Sequence, residues 1–258
     1  MSARTVDWSA AEPDGTESLR DRKKRLLRQQ LSDTATELFV ERGFDAVRVA
    51  DVAQACGVSE KTVYNYFPTK ESLVLDRGEA TLAALRAGLA DRAVPPLDAV
   101  VRILDDELRA LVSWLGHQPD LARARTSVRR FGELVRNTAS LRAHQRDQAD
   151  QLITVVAQLL ATRTGQPADG PQPRIAATAL VGLWEVQGRA LTTQLATTRT
   201  PEQLRRAVSA EVHRAARLLA TGLATYATRD GRARTTVAGS GHGQVIRRPA
   251  GTAPPPGR

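Results

Sequence analysis

A single cysteine, Cys56, stands in 258 residues. No disulfide can close within the chain, and the expected compartment is the reducing cytoplasm. Aromatic residues make up only 4% of the chain and methionine occurs once, against 41% hydrophobic residues in all. The apolar surface of a core therefore has to come from Ala, Leu and Val, a composition that favours helices. No stretch approaches the ~18 consecutive apolar residues that span a bilayer. The first residues also lack the apolar segment of a signal peptide. Histidine is scarce: His117, His144, His213 and His242 are scattered, with no close Cys or carboxylate partners at zinc-ligand spacing. There is no glycine-rich phosphate loop and no nucleophile elbow. Asp105-Asp106-Glu107 is an acidic run, but neighbours in a helix face different ways, so solvated surface is expected there rather than a paired-carboxylate site. Neither catalysis nor a metal nor a cofactor is expected.

What the chain does have is positive charge. The formal net charge is +9 and the isoelectric point about 10.6, a balance that suits a polyanionic partner. Part of it is concentrated in Arg20, Arg22, Lys23, Lys24, Arg25 and Arg28, opposed only by Asp21. Cations at the start of a helix oppose its macrodipole, so helix stability does not explain them, whereas neutralisation of phosphates does.

The most informative stretch runs from Val49 to Leu73. Val49, Val52, Ala53 and Cys56 recur at i, i+3, i+4 and i+7 and share one helical face. Cys56 on that face reads as an inert, buried thiol. Gly57 follows, where a left-handed conformation ends a helix and turns the chain. Val58 is placed to plug the corner. Ser59 is a good N-cap for a second helix, in which Val63 and Phe67 point inward. Glu60, Lys61, Thr62, Tyr64, Asn65 and Tyr66 remain on or near the outer face. Pro68 closes the helix and Thr69 caps the next, with Lys70 and Glu71 in its first turn. Helix, glycine turn, helix is the pattern whose second helix enters a DNA major groove. The outer face carries a cation, hydroxyls, an amide and two phenols, side chains that bond phosphates and base edges.

Gly43-Phe44, Val49, Asp51-Val52-Ala53, Gly57-Val58-Ser59, Thr62-Val63-Tyr64, Tyr66-Phe67 and Lys70-Glu71-Ser72-Leu73 together resemble the N-terminal signature of TetR-family transcriptional regulators, over roughly residues 22 to 73. The resemblance implies that Thr62, Tyr64 and Tyr66 contact DNA backbone or bases, that Glu60 and Lys61 face base edges, and that Lys70 meets a phosphate. One position departs from the pattern. The family usually has Thr or Ser just before Val49, and this chain has Arg48, a poor N-cap but a good phosphate ligand. Arg48 is therefore expected to join Ser59, Asn65 and the others in DNA contact.

Residues 1–18 are expected to be a disordered arm. A long helix follows, with Leu27, Leu31, Ala35, Leu38 and Phe39 in period, and Gly43 stops it. A helix-turn-helix domain is expected over 19–68 and a helical domain over 69–229. In the latter, a helix is expected from Lys70 to about Asp91, then helices over about 97–115, 120–137, 139–164, 174–198 and 201–229, separated by Pro95-Pro96, Gly116/Pro119, and a loop of Gly and Pro around 165–173. Residues 230–258 are expected to be a disordered, basic, Pro- and Gly-rich tail.

The last two helices carry broad apolar faces: Ile175, Ala179, Leu180, Leu183, Val186, Ala190 and Leu191 on one, and Leu204, Val208, Val212, Ala215, Leu218, Leu219 and Leu223 on the other. Gly182 and Gly188 inside a helix suggest close helix approach. Two such helices from each of two chains would make an intermolecular four-helix bundle, and the resemblance likewise implies a homodimer through 174–198 and 201–229. It also implies a small-molecule effector site in the helical domain, for which Trp114, His117, Phe131, Trp184 and Gln187 are candidates, with Glu185 and Arg189 beside them.

The fold class expected is all-α. The function expected is a sequence-specific regulator, a repressor that binds a palindromic double-stranded DNA operator as a dimer and is released by a small molecule, with no membrane partner. Two alternatives belong to other classes: a non-specific DNA-compacting protein, or a helical small-molecule-binding domain without DNA function.

Overall fold

The computed structural model describes residues 18–75, 78–197 and 200–222. Among them all regular structure is helical: α1 (Leu19–Arg42), α2 (Val49–Cys56), α3 (Glu60–Tyr66), a single 3-10 turn (Glu71–Leu73), α4 (Gly78–Ala90), α5 (Pro96–Gly116), α6 (Leu121–Asn137), α7 (Ala139–Thr164), α8 (Pro171–Leu195) and α9 (Pro201–Thr221). No helix among the described residues is long and apolar enough to cross a membrane. Residues 1–17 of the expected arm, the expected tail, and the stretch 223–229 of the last expected helix lie outside the described residues.

α1 starts at Ser18, whose hydroxyl accepts from the Asp21 amide at 3.1 Å, and stops at Gly43, which takes φ of 89°. Its inward stripe, Leu31, Ala35 and Phe39, is fully buried. Phe44 folds back so that its ring lies 4.9 Å from that of Phe39. These residues form a first core with Val49, Val52, Ala53, Val63, Phe67 and Leu73. Burying a side chain such as Phe67 contributes about 2–3 kcal/mol, and the core reaches past the head: Val135 of α6 and Leu141 of α7 belong to it, with Phe131 and Leu134 against its edge.

The larger body is built on α5, whose buried face runs Ala99, Val100, Leu104, Leu108, Leu111, Val112 and Leu115. Around its first half gather Leu85 and Leu89 of α4, Val156 and Leu160 of α7, Ala177, Val181 and Leu183 of α8 and Val212 of α9. Around its second half gather Ala124 of α6, Ala190 and Leu195 of α8, and Leu204 and Val208 of α9. The guanidinium of Arg163, on α7, closes the end of α4. It donates to the carbonyls of Leu89 and Val94 at 2.9 Å each, Asp91 at 2.8 Å and Arg92 at 3.4 Å.

Two expectations need correction. The helix from Lys70 to Asp91 is broken: a 3-10 turn ends at Leu73 and α4 begins only at Gly78. Leu73 and Val74 keep their apolar period because they are buried in the first core, not because a helix continues through them. The acidic run is not uniformly solvated. Asp106 stays outside, paired with Arg109. Asp105 reaches Ser209 at 2.6 Å and His213 at 3.2 Å on α9, and Glu107 reaches Thr81 on α4 and Trp184 on α8. Helical neighbours do point apart, and here two of those directions lead to other helices.

Candidate nucleic-acid interface

The turn between α2 and α3 has the expected chemistry. Gly57 sits at φ 69°, ψ 30°, the left-handed region, and the chain is clamped across it by the Val58 amide donating to Ala53 at 3.0 Å. Ser59 then caps α3: its hydroxyl accepts from the Thr62 amide at 3.1 Å and lies 2.7 Å from the Thr62 hydroxyl. Val63 and Phe67 are buried to 0% and 1% exposure, and this fixes which side of α3 faces out. Glu60, Lys61 and Asn65 are exposed, Thr62 half so. Tyr64 is 47% exposed, an unusual position for a large ring in a chain with few aromatics. Tyr66 is half-buried, its ring leaning on the first core.

Arg48 extends into solvent with 80% of its side chain exposed, touching Asp51 at 3.3 Å. Arg48 gives the first turn of α2 no side-chain cap. Asp51 supplies the cap from the other direction, its carboxylate accepting from the Arg48 amide at 2.8 Å. That backbone bond, with the Arg48 guanidinium second, holds the Asp51 carboxyl below its ordinary range. An acid three residues after an N-cap is the reverse half of a capping box. Its spacing is visible in the sequence, but the weak cap at Arg48 draws attention away from it.

Lys70 lies beside this face, and its ammonium is already engaged. It donates to the Phe44 carbonyl at 2.5 Å and stands over the rings of Phe44 and Phe39 at 4.3 and 5.5 Å. An ammonium has three donors, and one of them ties Lys70 to the loop just past α1. Arg28 plays a comparable part that local reading could not find. Its guanidinium donates to the Tyr66 carbonyl at 2.9 Å and covers the Phe67 ring at 4.7 Å, thirty-eight residues away in sequence. It fixes the C-terminal end of α3 to α1.

The basic start of α1 comes to the same place. Ser18, Leu19, Arg20, Asp21, Lys23, Lys24 and Leu27 line one open concavity, of about 990 Å³, with Asn65 and Tyr66 of α3. All four lysines of the chain, Lys23, Lys24, Lys61 and Lys70, fall in this head. Cys56 is partly buried against the first core, its sulfur near the Gln30 carbonyl at 3.9 Å.

The candidates for an effector site are not gathered together. Phe131 packs on the first core, Trp114 on the third, and His117 is exposed just past α5 with Nδ1 2.7 Å from the Ser113 carbonyl. Glu185 and Arg189 pair on the surface at 2.6 Å. Trp184 and Gln187 lie about one turn apart on α8, and both reach α5. Trp184 Nε1 donates to Glu107 Oε2 at 3.0 Å and Gln187 Nε2 to the Leu104 carbonyl at 3.1 Å. Glu107 is the residue that sequence reasoning misses, because it reads with its acidic neighbours. Among the described residues no group of His, Cys, Asp and Glu is arranged to hold a metal.

Two family models match the chain. One described as "Bacterial regulatory proteins, tetR family" covers residues 31–76, which is the whole of α2 and α3 with their supports. One described as "MftR C-terminal domain" covers residues 109–224. A Mycobacterium tuberculosis protein named as a mycofactocin biosynthesis transcriptional regulator, MftR, is 26% identical over 168 residues, 65% of this chain and 80% of its own. The HTH-type transcriptional regulator TcmR of Streptomyces glaucescens is 29% identical over 201 residues, 73% and 81% of the two chains. The HTH-type transcriptional repressor DhaR of a Mycobacterium species is 32% identical over 96 residues, 36% and 46% of the two. The exposed second helix, the glycine turn that aims it and these two matches agree: the chain belongs to the tetR family of bacterial regulatory proteins and is a DNA-binding, helix-turn-helix transcriptional regulator.

Proposed function

We propose that this chain is a cytoplasmic repressor that binds a palindromic operator as a homodimer and is released by a small molecule. The observation that carries the reading is the outward face of α3, with Tyr64 47% exposed beside Lys61 and Asn65 and flanked by the cationic start of α1. On this reading residues 19–68 form the DNA-binding head, in which Glu60, Lys61, Tyr64 and Asn65 meet base edges. Arg48, Ser59, Thr62, Tyr66 and Lys70 hold the backbone. Phosphate contacts set the register and base-edge contacts the sequence. Residues 69–229 form the effector and dimer body.

Dimerisation through α8 and α9 is supported by what α8 leaves uncovered. Ile175 is 68% exposed, and Gly182 and Gly188 have open space where a side chain would stand. Small residues on a helix with an exposed isoleucine allow a second helix to come close. Two heads so joined would read half-sites about 34 Å apart. Repression is the activity that the name of DhaR gives. Release requires an effector that binds the DNA-incompetent state better than the other.

The test is operator affinity by fluorescence anisotropy across a salt series. Tyr64→Ala lowers affinity at every salt concentration. Lys70→Ala lowers it too and reduces the slope of log affinity against log salt by about one unit. Because Lys70 also bonds the Phe44 carbonyl, its variant loses thermal stability, which Tyr64→Ala does not. If both variants bind as the wild type does, the assignment of this face to DNA is wrong.

A further inference from the structure

Between α5 and α8 the structure holds a carboxylate with no counter-charge among the described residues. Glu107 Oε2 accepts from the Trp184 indole at 3.0 Å and Oε1 from the Thr81 hydroxyl at 3.0 Å. Both oxygens act as acceptors. Both donors are neutral, and no described cation pairs with Glu107, unlike its neighbour Asp106, which has Arg109. Glu107 is half-buried, its Thr81 partner is 7% exposed, and its Trp184 partner packs against the core cluster that holds Leu104, Val181 and Leu183.

One turn away on the same two helices stands a second acceptor. Gln187 Nε2 is committed to the Leu104 carbonyl at 3.1 Å. That bond fixes the orientation of the amide, since a carbonyl can only be met by the NH2 end. Gln187 Oε1 is then left buried with no partner among the described residues. A buried acceptor without a donor bears its full desolvation cost, so the site lacks a donor. Leu104 and Glu107 on α5 and Trp184 and Gln187 on α8 thus make a square. It presents an anion, an amide oxygen and an indole, and has spare capacity only for accepting.

We infer that this square is the anchor of the effector site and takes an organic cation with N–H donors, a protonated amine carried on an apolar body. The ammonium supplies the charge that Glu107 lacks and the donor that Gln187 Oε1 lacks, and the Trp184 ring offers a face that favours cations. The inference rests on the reading of this chain as effector-responsive.

The test uses three ligands that share one apolar body and differ in head group: phenylbutylamine, phenylbutanol and phenylbutyrate. Each is titrated into the full chain by calorimetry, and the same samples are measured for operator affinity. The amine is expected to bind ~10-fold tighter than the alcohol, the gain of a charge-assisted over a neutral hydrogen bond, and the carboxylate weakest. Glu107→Gln, which keeps the shape and removes the charge, is expected to bring amine and alcohol to the same affinity. Gln187→Met is expected to weaken the amine alone. The ranking in the wild-type chain needs no variant to fold. The inference is overturned if the carboxylate binds as well as the amine, if amine and alcohol are equal, if none of the three binds, or if Glu107→Gln leaves the ranking intact. Should the carboxylate bind and release DNA, the effector reading stands and the cation inference falls. Should the amine bind with DNA affinity unmoved, the site stands and the effector reading falls.

Discussion

Replacing Gly57 by alanine isolates one contribution to the geometry of the head. Gly57 holds φ at 69° between α2 and α3, and a Cβ added there would meet nothing within 4 Å. Steric collision is therefore absent, and what remains is the intrinsic cost of the left-handed region to an L side chain, about 1–2 kcal/mol. For a body of this size that corresponds to a fall of ~2–8 °C in melting temperature. Asparagine tolerates the same region better, so Gly57→Asn falls less. The Val58-to-Ala53 bond keeps the turn in place, so α3 keeps its aim and operator affinity measured well below the melting transition is unchanged. Thermal denaturation followed by circular dichroism, with anisotropy for DNA, reads both quantities. Equal melting temperatures for the wild type and Gly57→Ala would refute a left-handed turn, and a large loss of affinity with full folding would show that the substitution re-aims the turn rather than strains it.

Two further outcomes follow from the same geometry. Asp51 has its carboxyl held below the ordinary range by the Arg48 amide and guanidinium, so its contribution is present above the usual aspartate range of about pH 4 and is lost as pH falls through the lowered value; Asp51→Asn melts earlier than wild type at pH 7, and the two converge in acid. Arg163→Ala exposes the end of α4 by removing a charged donor shared among four carbonyls, at about 2–3 kcal/mol in a chemical denaturation curve, and Arg163→Lys recovers only part because a point charge cannot span that set.

What is legible in the sequence is local. Gly57 and Ser59 specify a stop and a start two residues apart, and Val63 and Phe67 fix which side of α3 is hidden. Those signals need no partner from elsewhere in the chain. Pro201 reads as a helix start for the same reason, whereas Pro96 and Pro171 read as breaks although each is the first residue of its helix. What is not legible depends on pairs brought together from afar. The break after Leu73 is hidden because burial in the first core mimics a helical period. Arg28 reads as one more cation of a solvated cluster, and only the fold shows it bracing Tyr66 and Phe67. Glu107 reads as surface because its neighbour Asp106 is surface. Its donors, Thr81 and Trp184, come from helices twenty-six and seventy-seven residues away.

Everything rests on the outer side of α3 reading bases, twice over, through a symmetric pair of chains. Selection of bound duplexes from a randomised pool tests this directly, because the pool presents every candidate operator at once. The expected result is enrichment of an inverted repeat whose half-sites lie about one helical turn apart, and no enrichment from the same pool with Tyr64→Ala. Retention of duplexes without any shared repeat, or the same repeat recovered by the variant, would contradict it.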